Sequence, residues 1–111
     1  MLFRSSFPGF IDARSALRDH DVLVQLSGWE NCSYSLLDAV AAGLGVVASN
    51  VGGNSEFLPP QALTTGAEAD VARRIEEQAL SPEGRPHLPL GWPTVATMID
   101  HIETVYEELQ S

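Results

Sequence analysis

The sequence contains no lysine. Its six arginines face fifteen aspartates and glutamates, which gives 111 residues a formal net charge of −9. A chain this acidic is repelled by phosphate backbones and by anionic lipid, so nucleic-acid and membrane-surface binding are disfavoured. Cysteine occurs once, at Cys32, which excludes an internal disulfide. One cysteine with three scattered histidines also excludes a Cys/His zinc cluster. No apolar run approaches the roughly 20 residues of a membrane span, and the first eight residues hold no apolar core of signal-peptide length. These absences lead to the expectation of a reduced, cytoplasmic, soluble domain. Apolar residues at 44% and charged residues at 19% are ordinary globular values, and the length suits a single domain over residues 1–111.

Periodicity divides the chain into alternating strands and helices. Residues 7–11 are a short apolar stretch broken by Pro8 and Gly9, the end of an edge strand. Asp12 is placed to cap a helix over 13–19 with Leu17 inward. Residues 21–27 (DVLVQLS) are nearly continuous apolar, which suits a strand buried on both faces. A helix over 33–42 presents Leu36, Leu37, Val40 and Ala41 to the core and ends at Gly43. Residues 45–49 (GVVAS) form a second buried strand, and 62–64 a third. Helices are predicted over 68–80 and 94–109, the latter starting at Pro93 and carrying Val95, Met98, Ile99, Ile102, Val105, Tyr106 and Leu109 at helical spacing. That stripe is either core or a surface facing another domain. The alternation implies an α/β fold with right-handed crossovers, a parallel sheet of three to four strands and helices on its faces.

In such sheets ligands bind beyond the carboxyl ends of the strands. Two loops there carry unusual residues: 27–33 (SGWENCS) and 50–56 (NVGGNSE). Both are rich in small residues close to a helix start, an arrangement that attracts anions. Glu30 precedes the second helix and Asp38 lies within it. Eight positions are about 800° of rotation at ~3.6 residues per turn, so both carboxylates can border one cleft. Gly52-Gly53 fits a phosphate cradle or a plain strand-to-helix turn.

The stretch from Leu26 to Glu56 resembles the signature of the retaining GT-B glycosyltransferases of family 4. In that family a Glu, seven residues and a second Glu lie within P-S-x-x-E-G-F-G-x-x-x-L-E-A-M-A-x-G-x-P-V-V-A-T-x-x-G-G-x-x-E. This chain has Glu30, Asp38, Ala41-Ala42-Gly43, Val46-Val47-Ala48 and Gly52-Gly53-Asn54-Ser55-Glu56 at the matching offsets. Gly9-Phe10, residues 21–24, Trp92-Pro93 and Val105-Tyr106 extend the likeness over the chain. Departures are Asn31-Cys32-Ser33 for Gly-Phe-Gly, Asp38 for the second Glu and Gly45 for a Pro.

The resemblance implies a partial Rossmann-like domain, the C-terminal half of a GT-B donor domain. The acceptor domain and the first strand–helix units lie outside this stretch, so the chain alone is not expected to transfer sugar. It implies a nucleotide-diphosphate sugar as substrate, no other cofactor and no metal. Glu30 would stand as the catalytic position beside the donor sugar, and Asp38 would bind the ribose hydroxyls. The backbone N–H groups of Asn31, Cys32 and Ser33 would face sugar and diphosphate, with Gly52 and Gly53 completing the donor site. A non-catalytic half-domain acting as an accessory or oligomerisation module is the alternative; an unrelated doubly wound nucleotide-binding domain is a third. In the family's strand order 3-2-1-4-5-6, strand 21–27 would lack one neighbour here. An exposed strand edge of this kind implies a homodimer or larger homo-oligomer.

Overall fold

A computed structural model describes residues 5–110. The start of the N-terminal segment, residues 1–4, lies outside that range. The elements are α1 (Ala13–Arg18), β1 (Val22–Gln25), α2 (Tyr34–Ala41), β2 (Gly45–Ser49), β3 (Leu63–Thr64), α3 (Glu68–Leu80) and α4 (Val95–Gln110), with single 3-10 turns at Asn54–Glu56, Pro60–Ala62 and Pro82–Gly84. The three strands form one sheet in the order β1-β2-β3. Both pairings are parallel: Val22 stands opposite Gly45, and Ala48 opposite Leu63. The fold is therefore the α/β, Rossmann-like parallel sheet flanked by helices that the alternation implied.

Local chemistry sets the element ends. Asp12 caps α1, its carboxylate accepting from the Ser15 N–H at 3.2 Å. Ser33 caps α2 through its hydroxyl oxygen, which accepts from Leu36 N–H at 3.3 Å. Gly43 leaves that helix at φ +84°, a conformation for which glycine carries no Cβ penalty.

One face of β2 packs Val46 and Ala48 against Leu36, Ala39 and Val40 of α2 and against Phe57, Leu58 and Ala62 of the crossover to β3. Leu17 and Trp92 close the margins of this core, and Trp92 lies tilted on Phe57 with ring centroids 5.8 Å apart. Gly45 and Val47 point to the other face. A Cβ on Gly45 would come within 2.8 Å of the Gln78 Cβ, so α3 covers that face and Gly45 is the residue that lets it approach.

Two expectations change, and two helices show their faces. Residues 7–11 form no strand; Pro8 lacks a donor, Gly9 sits at φ +76°, and Phe7 and Phe10 are fully exposed. The strand over 21–27 shortens to Val22–Gln25 and is not buried on both faces: Val24 is 41% exposed. On α3 the buried residue is Gln78, while Leu80 is exposed. Of the two readings of the α4 stripe, core and a surface facing another domain, the exposure removes the first: it is 46% at Ile99 and Ile102 and 77% at Leu109.

Candidate functional site

The two loops singled out by their sequence meet at the carboxyl end of the sheet. β1 delivers Ser27, β2 delivers Ser49, Asn50 and Val51, and β3 delivers Thr64 and Thr65 to one open hollow of about 520 Å³. Ser27 borders it and donates its hydroxyl hydrogen to Glu30 Oε1 at 2.8 Å. Glu30 is half-buried. Its carboxylate thus has a fixed direction before any ligand arrives.

After Glu30 the chain enters α2. Asn31 and Cys32 are exposed and Ser33 is buried. Asn31 Oδ1 accepts from the exposed indole of Trp29 at 2.8 Å. Ser33 uses its hydroxyl on the cap, so its side chain belongs to the helix. Among the described residues, no hydrogen bond engages the backbone N–H groups of Asn31, Cys32 or Ser33. They stand at the positive end of α2, where free donors and the helix dipole act together on an anion.

The second loop lies against the first. Gly53 N–H donates to the Glu30 carbonyl at 3.0 Å. Behind it Asn54 is buried, tied to the Ser49 carbonyl through Nδ2 at 2.9 Å. Glu56 is exposed.

Asp38 takes a separate position. It lies on an exposed part of α2 and lines a hollow of about 400 Å³ between α1 and α2, together with Ala13, Arg14, Leu17, Arg18, Ala41 and Ala42. The structure therefore brings Glu30, Asn31, Cys32, Ser33, Gly52 and Gly53 to one corner and sets Asp38 on the α1 side of the same helix. Arg14 and Arg18 are site-lining residues that the motif did not single out, whereas Ser27 opens the loop that it did. The signal for the arginines was present: positions 14 and 18 are four apart on one helix and share its face.

Among the described residues no three His, Cys, Asp or Glu side chains gather into a group able to hold a metal ion. No described helix is long and apolar enough to cross a membrane.

A short parallel sheet flanked by helices, with a helix start beyond the carboxyl ends of its strands, defines a Rossmann-like α/β architecture. The family model for glycosyl transferases group 1 matches residues 3–79, from the N-terminal segment nearly to the end of α3, and the chain belongs to that family. Comparison with curated proteins and with solved structures gave no match.

Proposed function

We propose that this chain supplies the donor-binding elements of a retaining GT-B glycosyltransferase and binds a nucleotide-diphosphate sugar at the corner formed by loops 27–33 and 50–54. The observation that carries this reading is the pairing at that corner: a carboxylate oriented by Ser27 beside unengaged N–H donors at the start of α2. The donors of Asn31, Cys32 and Ser33 take the diphosphate, and the α2 dipole stabilises charge growing on the leaving group. Glu30 faces the sugar near its reacting centre, where a fixed carboxylate favours a transition state with positive charge on the anomeric carbon. Asp38 accepts hydrogen bonds from the ribose hydroxyls in the hollow between α1 and α2. Arg14 and Arg18 line that hollow and offset the repulsion that the acidic residues exert on a phosphate.

The test is an NMR titration of the chain with UDP, GDP and their sugars. Amide shifts are expected at residues 27–38 and 50–54, with affinity in the ~0.1–1 mM range set by few contacts and a net negative protein. Asp38→Asn weakens binding of nucleotides and leaves free sugar-phosphate unaffected. Shifts confined to other regions, or none at millimolar ligand, would overturn this reading and favour the accessory-module alternative.

A further inference from the structure

We infer that Gly52 and Gly53 act as positioning residues that lock the Glu30–Asn31 peptide, so that the Asn31 N–H is presented outward as a donor. They do not themselves cradle the diphosphate. Three observations converge on this. Gly53 N–H is already engaged, donating to the Glu30 carbonyl at 3.0 Å. A Cβ on Gly53 would lie 2.5 Å from the Asn31 carbonyl oxygen, closer than real Cβ atoms approach. Gly52 sits at φ +53°, and a Cβ there would overlap the Glu30 carbonyl oxygen. Two successive residues without side chains are what allow one loop to lie directly on the peptide planes of the other.

The consequence follows from peptide geometry. In a trans peptide the C=O and the next N–H point in opposite directions. Fixing the Glu30 carbonyl toward Gly53 aims the Asn31 N–H away from the second loop, and no acceptor among the described residues meets it. Ser27 fixes the other end of the same residue by holding the carboxylate. Glu30 is thus gripped at backbone and side chain, and the peptide flip that would remove the donor is opposed by the Gly53 hydrogen bond. The lock stands on this geometry alone; its service to a diphosphate rests on the function proposed above.

The experiment measures backbone N–H residual dipolar couplings of the ligand-free chain and of Gly53→Ala. The Asn31 coupling is expected to change in the variant while those of residues 45–49 stay constant, showing a local reorientation within an intact sheet. An unchanged Asn31 coupling overturns the lock. Should Gly53→Ala fail to fold, the through-hydrogen-bond coupling between Gly53 ¹⁵N and Glu30 ¹³C′ in the unmodified chain decides, its absence overturning the inference. With UDP added, the Asn31 amide is expected to shift more than Gly53, and Gly53→Ala to bind UDP about tenfold more weakly, the loss of one charge-assisted hydrogen bond. A dominant shift at Gly53 marks a direct cradle and overturns the assignment. Failure of UDP to bind removes the donor reading, while the ligand-free couplings still test the lock.

Discussion

Asp70 shows how a single carboxylate organises its neighbourhood. It occupies the first turn of α3, where the helix dipole favours a negative charge. The Thr64 hydroxyl donates to Oδ2 at 2.5 Å, and the Arg74 Nε donates to the same oxygen at 2.9 Å. Arg73 reaches Oδ1 at 2.9 Å, and Arg74 also binds the Pro60 carbonyl at 2.9 Å. The Thr64 hydroxyl first, then the Arg74 guanidinium, hold the Asp70 carboxyl well below the usual carboxylate range. A carboxyl with a depressed native pKa contributes stability that is present above its unfolded value, near pH ~4, and is lost as pH falls toward the native one. The chain is therefore expected to lose stability on acidification below about pH 4. Asp70→Asn should be less stable at pH 7 and show a flatter acid limb. Urea unfolding across pH 2–7 checks this; parallel acid limbs for the two proteins would assign the acid sensitivity to other carboxylates.

Between elements, the join of α3 to the sheet depends on Gln78. β3 pairs with β2 only from Ala48 onward, which leaves Val46 without a strand partner on that side. The Gln78 side chain fills the gap: Oε1 accepts from Val46 N–H at 2.7 Å and Nε2 donates to the Val46 carbonyl at 2.6 Å and to the Gln61 carbonyl at 3.2 Å. A buried amide thus stands in for a residue of the missing ladder. Gln78→Leu keeps the approximate volume and leaves both Val46 groups without partners, so a loss of about 2–4 kcal/mol is expected. Gly45→Ala drives a methyl into Gln78 and should cost about 1–3 kcal/mol. Chemical denaturation of both variants checks the pair, and a neutral Gln78→Leu would mean that water reaches the Val46 backbone.

This contact also marks what the sequence could and could not convey. β2 and α3 were legible to the residue, because Val-Val-Ala between glycine and serine, and acids ahead of an apolar stripe, are local signals. The glutamine at position 78 reads as one more polar helix residue, since its partner is backbone 32 positions earlier. The same holds at the site. The signature located Glu30, Asn31–Ser33 and Gly52-Gly53 in sequence, but their mutual contact is long-range, and only the fold shows the glycines lying on the Glu30 peptide. Asp38 illustrates the converse: helical spacing from Glu30 put both acids near one cleft, whereas α1 packs beside α2 and encloses Asp38 with Arg14 and Arg18 in a hollow of its own. The edge strand expected over 7–11 does not form because Pro8 removes a donor and Gly9, at φ +76°, turns the backbone out of the extended conformation.

At the scale of the whole molecule, two surfaces lack cover. β1 pairs only with β2 among the described residues, so its other edge presents free backbone groups, flanked by Val24 and by the exposed Leu26. The segment 7–11 does not close that edge. Beyond Trp92, α4 is exposed along its length, and the molecule extends 66 Å with a radius of gyration of 17.0 Å, against roughly 13 Å for a compact chain of this size. An open parallel edge and an apolar helix stripe both favour association. A second copy can meet the β1 edge across a two-fold axis, which places the two strands antiparallel and satisfies both rows of groups. We therefore expect a homodimer at high micromolar concentration in sedimentation velocity. Val24→Lys discriminates the edge: Val24 is already 41% exposed, so the lysine leaves the core intact, yet in a four-residue strand it stands next to the midpoint, where a two-fold axis brings the two copies' charges close. That variant should sediment as a monomer with unchanged circular dichroism. Ile102→Glu places a charge in the α4 stripe instead. A dimer that survives Val24→Lys and dissociates with Ile102→Glu would move the interface to α4, and a folded monomer of the unmodified chain would show that the edge stays free in solution.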